Sequence, residues 1–261
     1  MKTPPTSIAA RLSLIAAAGL LGACSSMGSA PMASSQSGLP DTIKVPMEAH
    51  QADFHKRWID EYRMLMKSRS GGAKNKALGI LMKLSLLSIH PKLPFAPEVK
   101  DGEQRWTSTN WREVGQFSSP KIEAVAAQIL SRRGCGHIVF CEPFAPAYWL
   151  REVLVEKGIP RERIAILNAD EASTPLRRQA IAEAFNGTPA ILDENGRLEQ
   201  EAVPPAYDVV IANSVAYEGI DLHIRTCFVH HLDLPWEPAT LQQRNGRAVR
   251  QGNTQAVIGI H

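Results

Sequence analysis

The sequence predicts an α/β domain built on a parallel sheet with helices on both faces. From about residue 118 onward, short apolar segments alternate with longer amphipathic ones, which is typical of strands joined by crossover helices. The short segments are almost continuously apolar, as expected for strands that are buried on both faces. With 44% hydrophobic residues among 261, the chain can bury a core of the size that such a domain needs.

Residues 1–38 are predicted to be a signal-like segment followed by a linker. Lys2 and Arg11 precede an apolar run at 12–23, which ends in "LGAC". Because this run is too short to cross a bilayer, it indicates an export signal rather than a membrane span. The ending resembles a bacterial lipoprotein signal, in which Cys24 would be lipidated and become the mature N-terminus. The alternative is an apolar N-terminal helix on a cytoplasmic protein.

Residues 39–117 are predicted to form a helical lead-in and an irregular linker. The first helix is indicated by apolar residues spaced by four, four and three, namely Phe54, Trp58, Tyr62 and Leu65. A second helix ends before Pro91, since proline disfavours the helical conformation of the residue before it. This second helix has a wide apolar face, formed by Leu78, Leu81, Met82, Leu84 and Leu87. The prolines and glycines of 92–117 favour an irregular path into the main domain.

The main domain is predicted over residues 118–261. Its first helix has Ser119 as N-cap, Pro120 at the first helical position and Gly134 just past the end. The elements that follow are, in order, strand "HIVFC", helix "PAYWLREVLVEKG", strand "RIAIL", helix "TPLRRQAIAEAFNG", strands "DVVIA" and "TCFVHHL", helix "PATLQQRNGRAVR" and strand "AVIGI". Thr174 is expected to cap the third of these helices, counting from Ser119. The "ENGR" stretch before "DVVIA" suggests a surface hairpin.

Two loops are expected to carry the chemistry, because ligands of such sheets lie at the carboxyl ends of the strands. They read "NSVAYEGIDL" and "DLPWEPATLQQRNGRAVRQGN". At helical spacing, Arg244, Arg247 and Arg250 of the second loop share one face. Like charges on one face are tolerated if they are solvated or if an anion meets them. The formal net charge is only +3, so a site for a polyanion has to come from such local clustering.

The chain resembles the second RecA-like lobe of superfamily-two helicases, and most closely that of the Swi/Snf-type DNA translocases. The resemblance rests on the ordered series "SPKIEAV", "GHIVFCE", "RRQAIAEAFN", "VVIANSVAYEGIDL" and "HHLDLPWEPATLQQRNGRAVRQGN", and it covers roughly residues 39–261. "YEGIDL" matches the fifth helicase motif and "QRNGRAVRQGN" the sixth. A series in this order is far more specific than any one of its pieces. The resemblance implies a RecA-like parallel sheet preceded by a helical lead-in.

The resemblance also implies roles for particular residues. Arg247 and Arg250 would act as arginine fingers on a triphosphate bound to the other lobe, where charge spreads over the γ-phosphoryl oxygens in the transition state. Arg244 falls outside the matched positions and is expected to be solvated. The remaining implied sites are nucleotide contacts at Gln243, Gly219 and Asp221, and nucleic-acid contacts at Glu218 and Ser214. Double-stranded DNA is the implied partner.

The sequence departs from the family in having no G-x-x-x-x-G-K-[ST] phosphate loop. We therefore expect that the first lobe, which would hold most of the ATP and Mg²⁺, is missing, and that the chain is inactive without that lobe in cis or in trans. The alternatives are an inert surface lipoprotein and a nucleic-acid-binding module that retains the fold. The implied function favours the cytoplasm, whereas lipidation of Cys24 would anchor the chain to a membrane.

The cysteines and histidines predict no metal or disulfide site, and one tryptophan is left with two interpretations. The cysteines show no C-x-x-C spacing, so neither a disulfide framework nor a zinc site is expected. His230 and His231 alternate across a strand, so they cannot bind one metal from the same face. Trp236 could offer a surface for base stacking, or it could pack against the strand ends.

Overall fold

The computed structural model describes residues 43–68, 70–216, 219–255 and 258–261. Residues 47–261 form one compact unit. The helices are α1 (Ala49–Lys67), α2 (Ala73–Ile89), α3 (Pro120–Ser131), α4 (Phe144–Glu156), α5 (Pro175–Asn186) and α6 (Pro238–Asn245). The strands are β1 (Gly136–Phe140), β2 (Ile164–Leu167), β3 (Ile191–Leu192), β4 (Leu198–Gln200), β5 (Val209–Ala212), β6 (Thr226–His231) and β7 (Gly259–Ile260).

A five-stranded sheet in the order β2-β5-β1-β6-β7 forms the centre of the unit. All of its pairings are parallel, and Ile138 of β1 lies between Val210 of β5 and Val229 of β6. The predicted fold class is confirmed. The predicted "ENGR" hairpin is also present, since β3 and β4 pair antiparallel on either side of it.

Both faces of the sheet are covered, which explains why the strands read as continuous apolar runs. On one face, Val139 and Ile211 pack with residues of α3 and α4. On the other face, Ile138 and Val210 pack with Phe185 of α5. Alternate residues of the same strand therefore enter two separate cores, as a sheet with helices on both faces requires.

The helical lead-in shares the first of these cores. Ile89 at the end of α2 and Trp111 in a short 3-10 helix are buried with α4 residues. The Trp149 indole N–H of α4 donates to the Trp111 carbonyl at 2.8 Å. The apolar face of α2 is narrower than predicted, because Leu78 and Met82 are both 56% exposed.

Helix α6 is also shorter than predicted. It ends at Asn245 rather than at Arg250. The next residue, Gly246, lowers the local helix propensity. The Ala248 N–H donates to the Asn245 carbonyl at 3.0 Å, which is the tighter, three-residue spacing of a turn. Ala248 is fully buried, so the chain turns inward here instead of continuing along a solvated helix.

Neither a membrane span nor a metal-binding cluster is found in the described part of the chain. None of the helices in that part of the chain is long and apolar enough to cross a membrane. The same residues contain no group of three or more His, Cys, Asp or Glu side chains that could hold a metal ion.

Candidate functional site

The two loops that were predicted to carry the chemistry meet on the face of the sheet that α5 covers, near the start of β6 and not at the carboxyl edge. The Arg247 guanidinium donates to the Ile220 carbonyl at 3.0 Å. The Arg250 guanidinium pairs with the carboxylate of Asp221. The Asn253 side-chain amide then donates to the Thr226 carbonyl at 2.9 Å, which ties the end of the sixth-motif segment to β6. The structure thus brings four predicted positions together, those of Gly219, Asp221, Arg247 and Arg250.

Gly219 and Asp221 form the fifth-motif side of this contact. Gly219 has a φ of +66°, a conformation that favours glycine. A Cβ at Gly219 would meet no heavy atom within 4 Å, so the constraint is backbone conformation and not crowding. The Asp221 carbonyl accepts from the Asn186 amide at 2.7 Å, which leaves the half-exposed carboxylate for Arg250.

The other predicted site residues lie apart from this contact or outside the described residues. Gln243 is exposed on α6, and Ser214 is exposed in a 3-10 turn directly after β5. Glu218 and Cys24 both lie outside the residues that the structure describes.

The expectation that Arg244 is solvated is wrong. Its side chain is fully buried, and its guanidinium donates to the Asp233 carbonyl at 2.8 Å and to the Asp233 carboxylate at 3.1 Å. A second carboxylate, that of Glu142, lies 3.4 Å away. Because α6 ends before Arg247, the three arginines do not share one solvated face, and they occupy three different environments.

Asp233 and Glu142 are functional candidates that the sequence reasoning missed. Each follows the end of a buried strand, Asp233 after β6 and Glu142 after β1, and polar residues at that edge of a parallel sheet are the usual signal for a site. The signal is present in "HHLDLP" and "VFCEP", whereas the even spacing of the arginines indicates a solvated helix face.

Burial shifts the pKa of several groups around Asp233. It raises the pKa of the Cys141 thiol well above its ordinary value, and it lowers the pKa of His231 to about 4. Burial also lowers the pKa of Lys121, while the Asp233 carboxylate acts in the opposite direction. Cys141 and His231 are therefore uncharged at neutral pH, and Arg244 faces the carboxylates of Asp233 and Glu142.

Trp236 does not pack against the strand ends. It lies in the loop between β6 and α6, and it is 70% exposed, which leaves its ring open for contact. A cavity of about 290 Å³ lies at the opposite edge of the sheet, against His137, Arg163 and Asp208. None of the predicted site residues lines that cavity.

Comparison with known families finds one domain model that includes both motif segments. The model of the helicase conserved C-terminal domain matches residues 120–252, about half of the chain. The chain belongs to this family. Both motif segments, 219–222 and 243–252, fall within the matched range.

The fold is that of the C-terminal RecA-like lobe of Swi/Snf-type ATPases. The C-terminal part of the Fun30 ATPase domain matches with a TM-score of 0.55 and 15% identity, over 83% of this chain and 81% of that one. The SWI2/SNF2 ATPase core of Sulfolobus solfataricus in complex with dsDNA matches with a TM-score of 0.51 and 16% identity. That match covers 82% of this chain and 38% of the Sulfolobus chain.

A closer sequence match covers a short segment. Over 53 residues, the chain is 47% identical to the Defense against restriction protein B of Escherichia phage P1. The segment is 20% of this chain and 2% of the phage protein, so the chain corresponds to a very small part of that relative.

Proposed function

We propose that this chain acts as the C-terminal half of an ATP-dependent DNA helicase or translocase. It would supply arginine side chains to a nucleotide held by an ATP-binding lobe in cis or in trans. The observation that carries the proposal is the contact of the fifth and sixth motif segments through Arg247 and Arg250. ATP and Mg²⁺ would be bound mainly by the other lobe.

The environment of each arginine suits this role. A planar guanidinium can meet two oxygens of a transferring phosphoryl group, where charge builds up in the transition state. Arg250 and Asp221 are 52% and 53% exposed, and such exposed pairs contribute at most about 1 kcal/mol. Arg250 can therefore leave Asp221 for a phosphate at little cost, while Arg247 stays anchored near Ile220.

DNA binding is the second part of the proposal. Ser214 and Trp236 are both exposed at the carboxyl edge, where a strand of DNA could pass. Stacking of a base on an aromatic ring is worth roughly 1–3 kcal/mol and tolerates any sequence. Trp236 is the exposed aromatic residue that we propose for such a contact, with Ser214 as a donor to a phosphate.

The proposal is tested by combining the chain with the ATP-binding lobe of a related translocase, fused or added separately. DNA-stimulated phosphate release should appear only in the combination, because the chain has no phosphate loop. Arg247→Ala or Arg250→Ala should then lower kcat by something on the order of 10³-fold, with little change in nucleotide binding. Arg→Lys should restore only part of the rate, since an ammonium cannot make the planar two-point contact.

The matched control is Arg161→Ala. Arg161 is 49% exposed and pairs with Glu152, so it resembles Arg250 in exposure and pairing, but it precedes β2, at the other end of the strand order from β6 and β7. Its replacement should leave kcat unchanged. If the Arg247 and Arg250 variants instead weaken DNA binding and leave turnover on saturating DNA unchanged, the two arginines are phosphate contacts for DNA and not arginine fingers.

A further inference from the structure

A buried charge lies in the helix that precedes Arg247 and Arg250. Arg244 is fully buried, and one of its nitrogens donates to the Asp233 carbonyl at 2.8 Å. Another donates to the Asp233 carboxylate at 3.1 Å, with Glu142 3.4 Å away. The guanidinium carbon also lies 5.5 Å from the centre of the Phe140 ring, within the range of a cation–π interaction.

The Asp233 carboxylate connects three elements of the site. One oxygen accepts from Arg244 of α6, and the other accepts from the Glu142 backbone N–H at 2.9 Å. Since Asp233 follows β6 and Glu142 follows β1, the carboxylate links both strand ends to α6. A second link runs parallel to it, where the His231 ring bonds to the Asn245 side chain at 2.8 Å.

A buried ion pair is a costly way to attach a helix. Desolvation of the two charges offsets much of their attraction, and an apolar pair of similar volume is often as stable or more stable. What the ion pair adds is geometry, because a planar guanidinium with several acceptors accepts only one orientation. Arg244 therefore sets the rotation and height of α6 on the sheet. Arg247 is only three residues further on.

We propose that Arg244 and Asp233 form a positioning pair. It holds α6 in the one orientation that brings Arg247 to Ile220 and Arg250 to Asp221. Neither member of the pair touches the nucleotide in this proposal. The consequence for catalysis rests on the proposed ATPase function, whereas the consequence for α6 itself does not.

The experiment uses a double variant, Arg244→Met with Asp233→Asn. The single Arg244→Met change would leave the Asp233 carboxylate buried without its partner, which destabilises the chain whether or not the pair orients α6. The double variant removes both charges, and the new amide side chain keeps an acceptor for the Glu142 N–H. Its unfolding midpoint should fall less than that of the single variant, because the Asp233 carbonyl still loses its donor but no charge is left buried at Asp233.

Hydrogen exchange on the full chain is the first readout. The amides of α6 should exchange at least about tenfold faster in the double variant, while those of β1 and β6 keep their protection. The second readout is the ATPase of the combination with an ATP-binding lobe. There kcat should fall on the order of 10²-fold, since small misplacements cost that much, with little change in KM for ATP.

A matched control pair lies at the opposite edge of the sheet. Arg163 donates to Asp208 at 2.9 and 2.6 Å in a part-buried pair, and Arg163→Met with Asp208→Asn makes the same chemical change there. Arg225, which lies 3.4 Å from Asp208, keeps its bonds to the Tyr207 and Gly134 carbonyls. The control double variant should leave α6 exchange and kcat unaltered. The proposal is overturned if the Arg244 and Asp233 double variant keeps the α6 exchange rates of the unchanged chain. It is equally overturned if both double variants have the same effect on α6.

The exchange readout separates this proposal from the proposed function. If the unchanged chain gives no ATPase with any ATP-binding lobe, the proposed function fails. The exchange rates of α6 still decide whether Arg244 and Asp233 position that helix.

Discussion

At the scale of single residues, burial separates three arginines that the sequence spaces evenly. Arg244 is fully buried, and a buried charge requires partners because leaving water is costly. Arg250 is half exposed, and its pair with Asp221 contributes little. The same side chain therefore anchors a helix at one position and stays available for a ligand six residues later.

His90 allows a prediction about pH. It is buried against Trp149, with ring centres 4.5 Å apart, and burial lowers its pKa to about 4. In the unfolded chain the pKa is about 6.5, so between these values the unfolded state binds a proton that the folded state does not. Stability should be fully present above pH 6.5 and should fall as the pH drops toward about 4.

The measurement is urea unfolding between pH 4 and 7.5. His90→Gln can still donate to the Ser118 carbonyl, which His90 contacts at 3.1 Å, but it does not titrate. The variant should therefore lose less stability on acidification than the unchanged chain. An identical pH dependence in both chains would contradict the assignment to His90.

At the scale of elements, the start of α3 is joined to the end of α2. The Ser119 hydroxyl accepts from the Ile122 N–H at 3.2 Å, as an N-cap does, and it donates to the Ile89 carbonyl at 2.7 Å. Thr174 caps α5 in the same way, accepting from the Arg177 N–H at 3.2 Å. Thr174 is exposed, whereas Ser119 is buried.

This contrast predicts unequal costs for two similar substitutions. Thr174→Ala should destabilise by about 1 kcal/mol, the usual value of an N-cap. Ser119→Ala should cost about 1 kcal/mol more, because it also leaves the buried Ile89 carbonyl without a donor. Urea unfolding of both variants measures the difference, and equal costs would mean that the bond to Ile89 contributes nothing.

At the scale of the whole molecule, the lead-in and the sheet share one core. Ile89, Leu93 and Trp111 are buried in the same cluster as Val139 and Ile211 of the central strands. The Trp106 indole adds a bond to the Leu93 carbonyl at 3.1 Å. Separating the lead-in from the sheet would expose this shared apolar surface to water.

We therefore expect residues 47–261 to unfold in one cooperative transition. Far-UV circular dichroism and tryptophan fluorescence should give the same midpoint in urea, because both report on the same event. Far-UV signal lost at lower urea than the fluorescence change would show that α1 and α2 unfold separately from the sheet.

The sequence by itself determined the order of strands and helices and predicted a candidate site in two loops. The alternation of apolar strands with helices predicted the parallel sheet, and Ser119 and Thr174 marked two helix starts. These signals are local, since caps and periodicity involve residues only a few positions apart. The motif order then placed Gly219, Asp221, Arg247 and Arg250 in one candidate site, and the two segments that carry them are in contact in the structure.

Only the tertiary structure decided what each side chain of the site contacts. It ended α6 at Asn245, left Trp236 exposed and buried Arg244. The partners of Arg244 lie 11 positions away at Asp233 and 102 positions away at Glu142. No pattern within a helical turn reports on such neighbours, because burial depends on which distant strand ends the fold brings together.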